Sequence, residues 1–284
     1  MDVKKVGVVG CGLMGSGIAQ VSAQCGYDVV VCEASGELLD RGLGRIESFV
    51  TKGVERGKVT EEQKKTTLDR IKGTTKLKDL KESDLIVEAI IENVDEKRKV
   101  FRELDGLCQP EAIFSSNTSS ISIIDMASAT KRPHKFLGLH FFNPVPIMKL
   151  VEIVRSIVTS DETYETAKAF CESLGKQIIT AKDTPGFIVN LLLIPYLLDA
   201  VRAFESGVAT KEDIDAGMKL GCNMPMGPLE LLDFVGVDTT LYIADVMYNE
   251  FRDPKYAASP LLRKMVLAGF HGRKSGKGFY DYGK

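Results

Sequence analysis

Along the first half of the chain, short apolar, largely β-branched runs alternate with stretches whose apolar positions recur every three to four residues. The runs are Val6 to Val9, Asp28 to Cys32, Leu85 to Ile90, Ala112 to Ser115 and Phe136 to His140. Such alternation predicts βαβ units, and hence a doubly wound α/β domain with helices on both faces of a parallel sheet. Between the second run and Leu85 lies a longer, charged segment, Glu37 to Ile71, with helical spacing and a break at Gly57-Lys58-Val59. Thr60 followed by Gln63 supplies a capping box for its second half. The segment reads as a helical hairpin inserted where a simple crossover would suffice.

Leu150 to Val154 is a further strand pattern, Glu162 to Leu174 a helix, and Gln177 to Ala181 a last strand. After Asp183-Thr184-Pro185-Gly186 the strand signals stop. Helical spacing then runs through Phe187 to Ser206, Lys211 to Leu220, Leu229 to Phe251 and Leu261 to Ala268. Pro185-Gly186 cannot continue a strand and opens the helical pattern, which predicts one domain over 1–184 and an all-helical second domain over 185–284.

Composition narrows the function classes. A chain of 284 residues with 44% hydrophobic and 27% charged residues can build two ordinary globular cores. Its net charge of −2, with basic residues spread along the chain, lacks the footprint of a nucleic-acid binder. Cys11, Cys25, Cys32, Cys108, Cys171 and Cys222 form no C-x-x-C pair and no Cys/His cluster at zinc spacing, so no metal site is expected. They suit buried thiols in a reducing compartment. The N-terminus enters a strand pattern at once, without a signal-like segment, and Phe187 to Leu198 is too short to span a bilayer. A cytoplasmic protein with no membrane partner is the expectation.

Directly after the first strand comes Gly10-Cys11-Gly12-Leu13-Met14-Gly15, opening a helix. Gly10 suits a tight turn, Gly12 the close approach of backbone to a pyrophosphate, and Gly15 close packing of helix on strand, as in a Rossmann-type domain. The next strand ends in Glu33, about twenty positions further on, where a carboxylate accepts from ribose hydroxyls and repels a 2′-phosphate. The expected cofactor is NAD rather than NADP.

Ligands in such sheets bind beyond the carboxyl ends of the strands. Glu92, then Asn117 and Ser119, then His140 and Asn143 follow the ends of three runs. His140 is one of 3 histidines, and imidazole becomes a candidate acid/base when a partner orients it. Glu152, on the strand that returns after Asn143-Pro144-Val145-Pro146, is the candidate partner; the same positions also fit a structural histidine and a water-facing glutamate. Ser119 fits a catalytic hydroxyl or a polar loop capping the helix from Ile121. Asn190 sits inside the apolar stretch Phe187 to Leu193, where an unpaired amide would cost about 1 to 3 kcal/mol. It therefore faces a polar partner or bonds to its own helix backbone.

These segments, with Ser116-Asn117-Thr118-Ser119-Ser120, Gly138 to Pro146, Asp183 to Asn190 and the tail Gly272 to Tyr280, resemble the 3-hydroxyacyl-CoA dehydrogenase family, in particular its short bacterial 3-hydroxybutyryl-CoA dehydrogenases. The likeness covers essentially the whole chain. It implies hydride transfer between NAD(H) and a short (S)-3-hydroxyacyl-CoA, with His140 as general acid/base, Glu152 as its orienting carboxylate, and Ser119 and Asn190 on the substrate's 3-oxygen. It further implies that Glu92, Lys97, Asn117, Asn143 and Lys274 help position NAD, and that the helical domain forms a dimer interface. On the hairpin, Lys52 and Arg56 stand at i, i+4 with Ser48 one turn earlier. The resemblance turns what would otherwise read as a solvated face into a site for CoA phosphates.

Two rivals share the fold. One is a related dehydrogenase of a free hydroxy acid or sugar acid, which would not need the basic hairpin. The other is a non-catalytic NAD-binding structural protein, which would have no chemical need for Ser119, His140, Glu152 and Asn190 together.

Overall fold

The computed structural model describes residues 2–283. The chain divides into two compact units, Met1–Thr184 and Pro185–Lys284, each with its own apolar core.

In the first unit the order is β1 (Lys5–Val9), α1 (Leu13–Gln24), β2 (Asp28–Cys32), α2 (Gly36–Glu55), α3 (Glu61–Asp69), β3 (Ile71–Thr74), β4 (Leu85–Glu88), α4 (Val94–Leu107), β5 (Ile113–Ser116), α5 (Ile123–Ala127), β6 (Phe136–Phe141), β7 (Leu150–Arg155), α6 (Asp161–Ser173) and β8 (Gln177–Lys182). Among the described residues the eight strands form one sheet in the order β3-β2-β1-β4-β5-β6-β7-β8. Pairing is parallel from β3 through β6; β7 runs antiparallel to β6, and β8 parallel to β7. Val6, Val8, Val31, Leu85, Ile86 and Val87 are wholly buried, as central strands covered on both faces must be. The strand order reverses direction between β1 and β4, so a crevice opens at their carboxyl ends.

The hairpin is α2 with α3. Ser35 caps α2, and Thr60 with Gln63 forms both bonds of the capping box at α3. Leu39, Gly42, Ile46 and Val50 are the buried stripe of α2, at the spacing of one helix face.

Two expectations shift here. Ile71 opens β3 rather than ending the hairpin: this four-residue edge strand is only half covered, and Gly73 carries no side chain to mark a period of two. A Cβ on Gly73 would lie 3.0 Å from Leu39 Cδ2 and 3.1 Å from Leu43 Cδ1, so α2 packs directly on that strand. β4 ends at Glu88, short of Ile90, because the Ile90 N–H turns back to the Glu88 carboxylate at 2.7 Å.

The second unit is helical among its described residues: α7 (Val189–Glu205), α8 (Lys211–Gly221), α9 (Pro228–Val235), α10 (Val237–Phe251) and α11 (Pro260–Leu267). The stretch expected as helical from Leu229 to Phe251 is broken at Gly236, whose φ of 110° ends α9 and starts α10. The start of α7 is delayed past Phe187, which has a φ of 50°. The tail folds onto Asp233, which accepts from Phe279 N and Tyr280 N at 2.9 Å each and from the Tyr282 hydroxyl at 3.1 Å. No helix among the described residues is long and apolar enough to cross a membrane.

Candidate active site

The glycine loop sits where β1 hands over to α1. Gly10 has a φ of 94°, and a Cβ there would lie 2.6 Å from Ala89 O; a Cβ on Gly15 would lie 1.9 Å from Gly10 O. Both positions thus require glycine. A Cβ on Gly12 would project into open space, and Gly12 gives α1 no side-chain cap. The backbone N–H groups of the first turn, at Leu13, Met14 and Gly15, are therefore presented as a helix N-terminus presents them to phosphate.

Beyond the loop lies a cleft of about 830 Å³ lined by Gly10, Gly12, Glu33, Leu38, Ile90 and Val100 among others. Glu33 stands on its wall, accepting from Cys11 N at 2.7 Å and Ala34 N at 2.6 Å. An open approach at Gly12, a helix N-terminus and a carboxylate beyond β2 fit a dinucleotide with unmodified ribose hydroxyls.

At β6 and β7 the antiparallel register sets His140 opposite Glu152. Their side chains are 8% and 0% exposed, and His140 Nδ1 lies 2.6 Å from Glu152 Oε2. A carboxylate that accepts from Nδ1–H orients the imidazole and leaves Nε2 as the nitrogen that can take a proton. The Phe142 ring packs on the imidazole with centroids 4.5 Å apart. Asn117 Oδ1 accepts from Phe141 N at 2.9 Å, which fixes the loop after β5 to the end of β6.

That loop carries Ser119, and Glu92 holds it. Glu92 Oε1 accepts from Ser119 N at 3.0 Å and from the Thr118 hydroxyl. Lys97 is 1% exposed and spans two carboxylates, Glu88 at 2.6 Å and Glu92 at 3.2 Å. Asn143 lies in the wall of a second cleft, of about 440 Å³, with Ser48 and Lys52; Arg41 and Arg45 join that wall, whereas Arg56 lies outside it as the C-cap of α2. Arg45 also donates to Cys11 O at 2.6 Å.

Asn190 and Lys274 belong to the second unit. Asn190 is buried in the first turn of α7, and Lys274 pairs with Asp238 at 2.7 Å at the start of α10.

Glu88 is hidden in the sequence inside Leu85 to Ile90, which reads as one strand, although a carboxylate in such an apolar run needs a cation and Lys97 on the following helix is the available one. Gly42 and Arg45 carry no local signal either, since their contacts depend on where α2 lies.

A glycine-loop α/β unit with a buried histidine–carboxylate pair at its strand ends has the parts of an NAD-dependent oxidoreductase. Residues 5–184 match the NAD-binding domain of 3-hydroxyacyl-CoA dehydrogenase, and residues 186–282 match its C-terminal domain. The chain belongs to the 3-hydroxyacyl-CoA dehydrogenase family. It is 49% identical to a 3-hydroxybutyryl-CoA dehydrogenase of Bradyrhizobium diazoefficiens, over 99% of this chain and 96% of that one. It is 46% identical to the human mitochondrial hydroxyacyl-coenzyme A dehydrogenase, over 99% of this chain and 91% of that one. The crystal structure of (S)-3-hydroxybutyryl-CoA dehydrogenase from Ralstonia eutropha superposes with a TM-score of 0.95 at 46% identity, covering 100% of both chains.

Proposed function

We propose that this protein interconverts (S)-3-hydroxybutyryl-CoA and acetoacetyl-CoA with NAD(H). The observation that carries the reading is the buried contact between His140 Nδ1 and Glu152 Oε2 at 2.6 Å, at the same strand ends as the dinucleotide crevice.

In the oxidative direction His140 Nε2 takes the proton of the 3-hydroxyl group. Glu152 holds the ring in that tautomer and balances the imidazolium that forms. NAD supplies hydride exchange with C3 of the substrate. Ser119 and Asn190 donate hydrogen bonds to the 3-oxygen, which gathers negative charge as the proton leaves. In reduction His140 returns the proton.

The glycine loop holds the pyrophosphate and Glu33 the adenosine ribose, while Glu92, Asn117, Asn143 and Lys274 fix the remainder of the cofactor, with buried Lys97 acting through Glu92. Ser48 and Lys52, in the wall of a cleft with two arginines, take the CoA phosphates, with Arg56 one turn further along. The first unit is then the NAD-binding domain, and the second serves substrate binding and assembly into a homodimer, in the cytoplasm.

The test is NADH oxidation at 340 nm with acetoacetyl-CoA, run beside NADPH, free acetoacetate and a His140→Ala variant. Turnover with NADH and the thioester, lost in the variant, is the expected result. Activity confined to free acetoacetate would instead indicate a hydroxy-acid dehydrogenase, and tight NADH binding without turnover a structural protein. Sedimentation velocity tests the dimer.

A further inference from the structure

Glu88 is wholly buried at the end of β4 and has no part in the mechanism above. Its Oε1 accepts from Lys97 Nζ at 2.6 Å and from Ile90 N at 2.7 Å, and its Oε2 accepts from the Ser116 hydroxyl at 2.6 Å. Burial pushes its pKa up on balance, against the pull of Lys97, Ser116 and Ile90. Each of the three neighbours is a donor, so the site is built for the carboxylate. A buried ion pair is weak evidence of added stability, since desolvation cancels much of the attraction. Its geometric effect is better defined.

Lys97 reaches past Glu88 to Glu92 Oε2 at 3.2 Å. The other oxygen of Glu92 accepts from Ser119 N at 3.0 Å and from the hydroxyls of Thr118 and Ser120; the Ser119 hydroxyl, 3.5 Å away, makes the longest of these contacts, the one its single proton can leave for the 3-oxygen. From the other side, Ser116 Oγ is held by Glu88 and itself accepts from Thr118 N at 3.2 Å. Two routes thus lead from one carboxylate to the backbone that carries Ser119: one through Lys97 and Glu92, one through Ser116 and Thr118. Both are short, and all their anchors lie within the first unit.

We propose that Glu88 is a positioning residue that fixes the Ser119 hydroxyl for the 3-oxygen, acting through Lys97–Glu92 and through Ser116. This rests on the role given to Ser119 above. Removing the charge of Glu88 lets the Lys97 ammonium shift towards Glu92, and the loop from Asn117 to Ser120 shifts with the carboxylate it hangs from. A hydroxyl misplaced by a fraction of an ångström loses most of its transition-state bond while substrate still binds.

The test is a double-mutant cycle on kcat with Glu88→Gln, Ser119→Ala and the pair, beside thermal unfolding. Glu88→Gln is expected to lower kcat by about 10- to 100-fold, with KM for acetoacetyl-CoA changed by less than about 3-fold as the mark of a transition-state bond. The pair should be no slower than Ser119→Ala alone, because the lost alignment has nothing left to act on. A purely structural role would lower the melting temperature and leave kcat at 25 °C as it was, and that result overturns the proposal. So does full multiplicativity of the two losses. If Ser119→Ala itself leaves kcat intact, the assigned role of Ser119 fails first, which separates the two failures. Should Glu88→Gln not fold, Glu88→Asp, which keeps the charge but retracts it from Lys97, takes its place in the cycle, and the same outcomes support or overturn the proposal.

Discussion

Gly42 of α2 packs against Cys11 of the glycine loop with no space between them: a Cβ on Gly42 would lie 2.2 Å from Cys11 Sγ and 2.4 Å from Cys11 O. Three residues further along the same helix, Arg45 donates to that carbonyl at 2.6 Å. The inserted hairpin is therefore docked on the cofactor loop itself. Gly42→Ala forces helix and loop apart and should cost about 1 to 3 kcal/mol of stability, the usual penalty of overpacking. It should also weaken NADH binding, because the loop must move. Urea unfolding together with NADH fluorescence titration checks both, and unchanged affinity would show that the loop yields nothing when the helix shifts.

Glu152→Gln keeps the shape at His140 and changes the chemistry. The amide can present its NH2 group to Nδ1, which reverses the tautomer, and it cannot balance an imidazolium. A loss in kcat of about 10³- to 10⁴-fold is expected, by comparison with amide replacement in other histidine–carboxylate pairs. Affinity for NADH should hold. Steady-state rates at 340 nm with a separate NADH titration decide the matter, and a kcat within about tenfold of the parent would remove Glu152 from the acid/base machinery.

How much of this was legible along the chain follows from what is local. The glycine loop was, because a turn, a close approach and a helix start each demand glycine at fixed offsets, and a Cβ on Gly10 or Gly15 would meet backbone at 2.6 Å and 1.9 Å. The pairing of His140 with Glu152 could be read too, since a tight turn at Asn143 to Pro146 between two strands brings residues on either side opposite each other. What escaped was whatever a second element decides. β3 is too short and too exposed to show a period, the break at Gly236 lies inside continuous helical spacing, and Glu88 looked like one polar residue in an apolar run. Its meaning lies in Lys97, nine positions on, and Ser116, on the next strand.

Glu33 accepts from Cys11 N at 2.7 Å on the wall of the cleft where the adenosine ribose is expected. Glu33→Gln retains an oxygen for that N–H, gives up the one that accepts from Ala34 N, and removes the charge that would face a 2′-phosphate. Taking away one like charge near a solvated surface is worth roughly 1 kcal/mol or more. The ratio of kcat/KM for NADPH to that for NADH should therefore rise by about fivefold or more. An unchanged ratio would mean that Glu33 does not face the ribose.

The tail of the second unit carries its own sensitivity to base. Tyr282 donates to Asp233 at 3.1 Å, and burial, with the Asp233 charge beside it, pushes the Tyr282 hydroxyl up to about 12. In the unfolded chain the same group titrates at about 10. Between these two values the folded protein keeps a proton that the unfolded chain has lost, so stability falls as pH rises. The contribution is whole below about pH 10 and is gone above the folded value. Tyr282→Phe has no hydroxyl to titrate in either state, and it leaves one bond of Asp233 unmade. It should start less stable than the parent at about pH 8 and lose stability less steeply from about pH 10 to 12. Urea midpoints at pH 8, 10 and 11 measure this, with the other tyrosines common to both proteins. Parallel curves for parent and variant would show that the Tyr282 proton is not held by the fold.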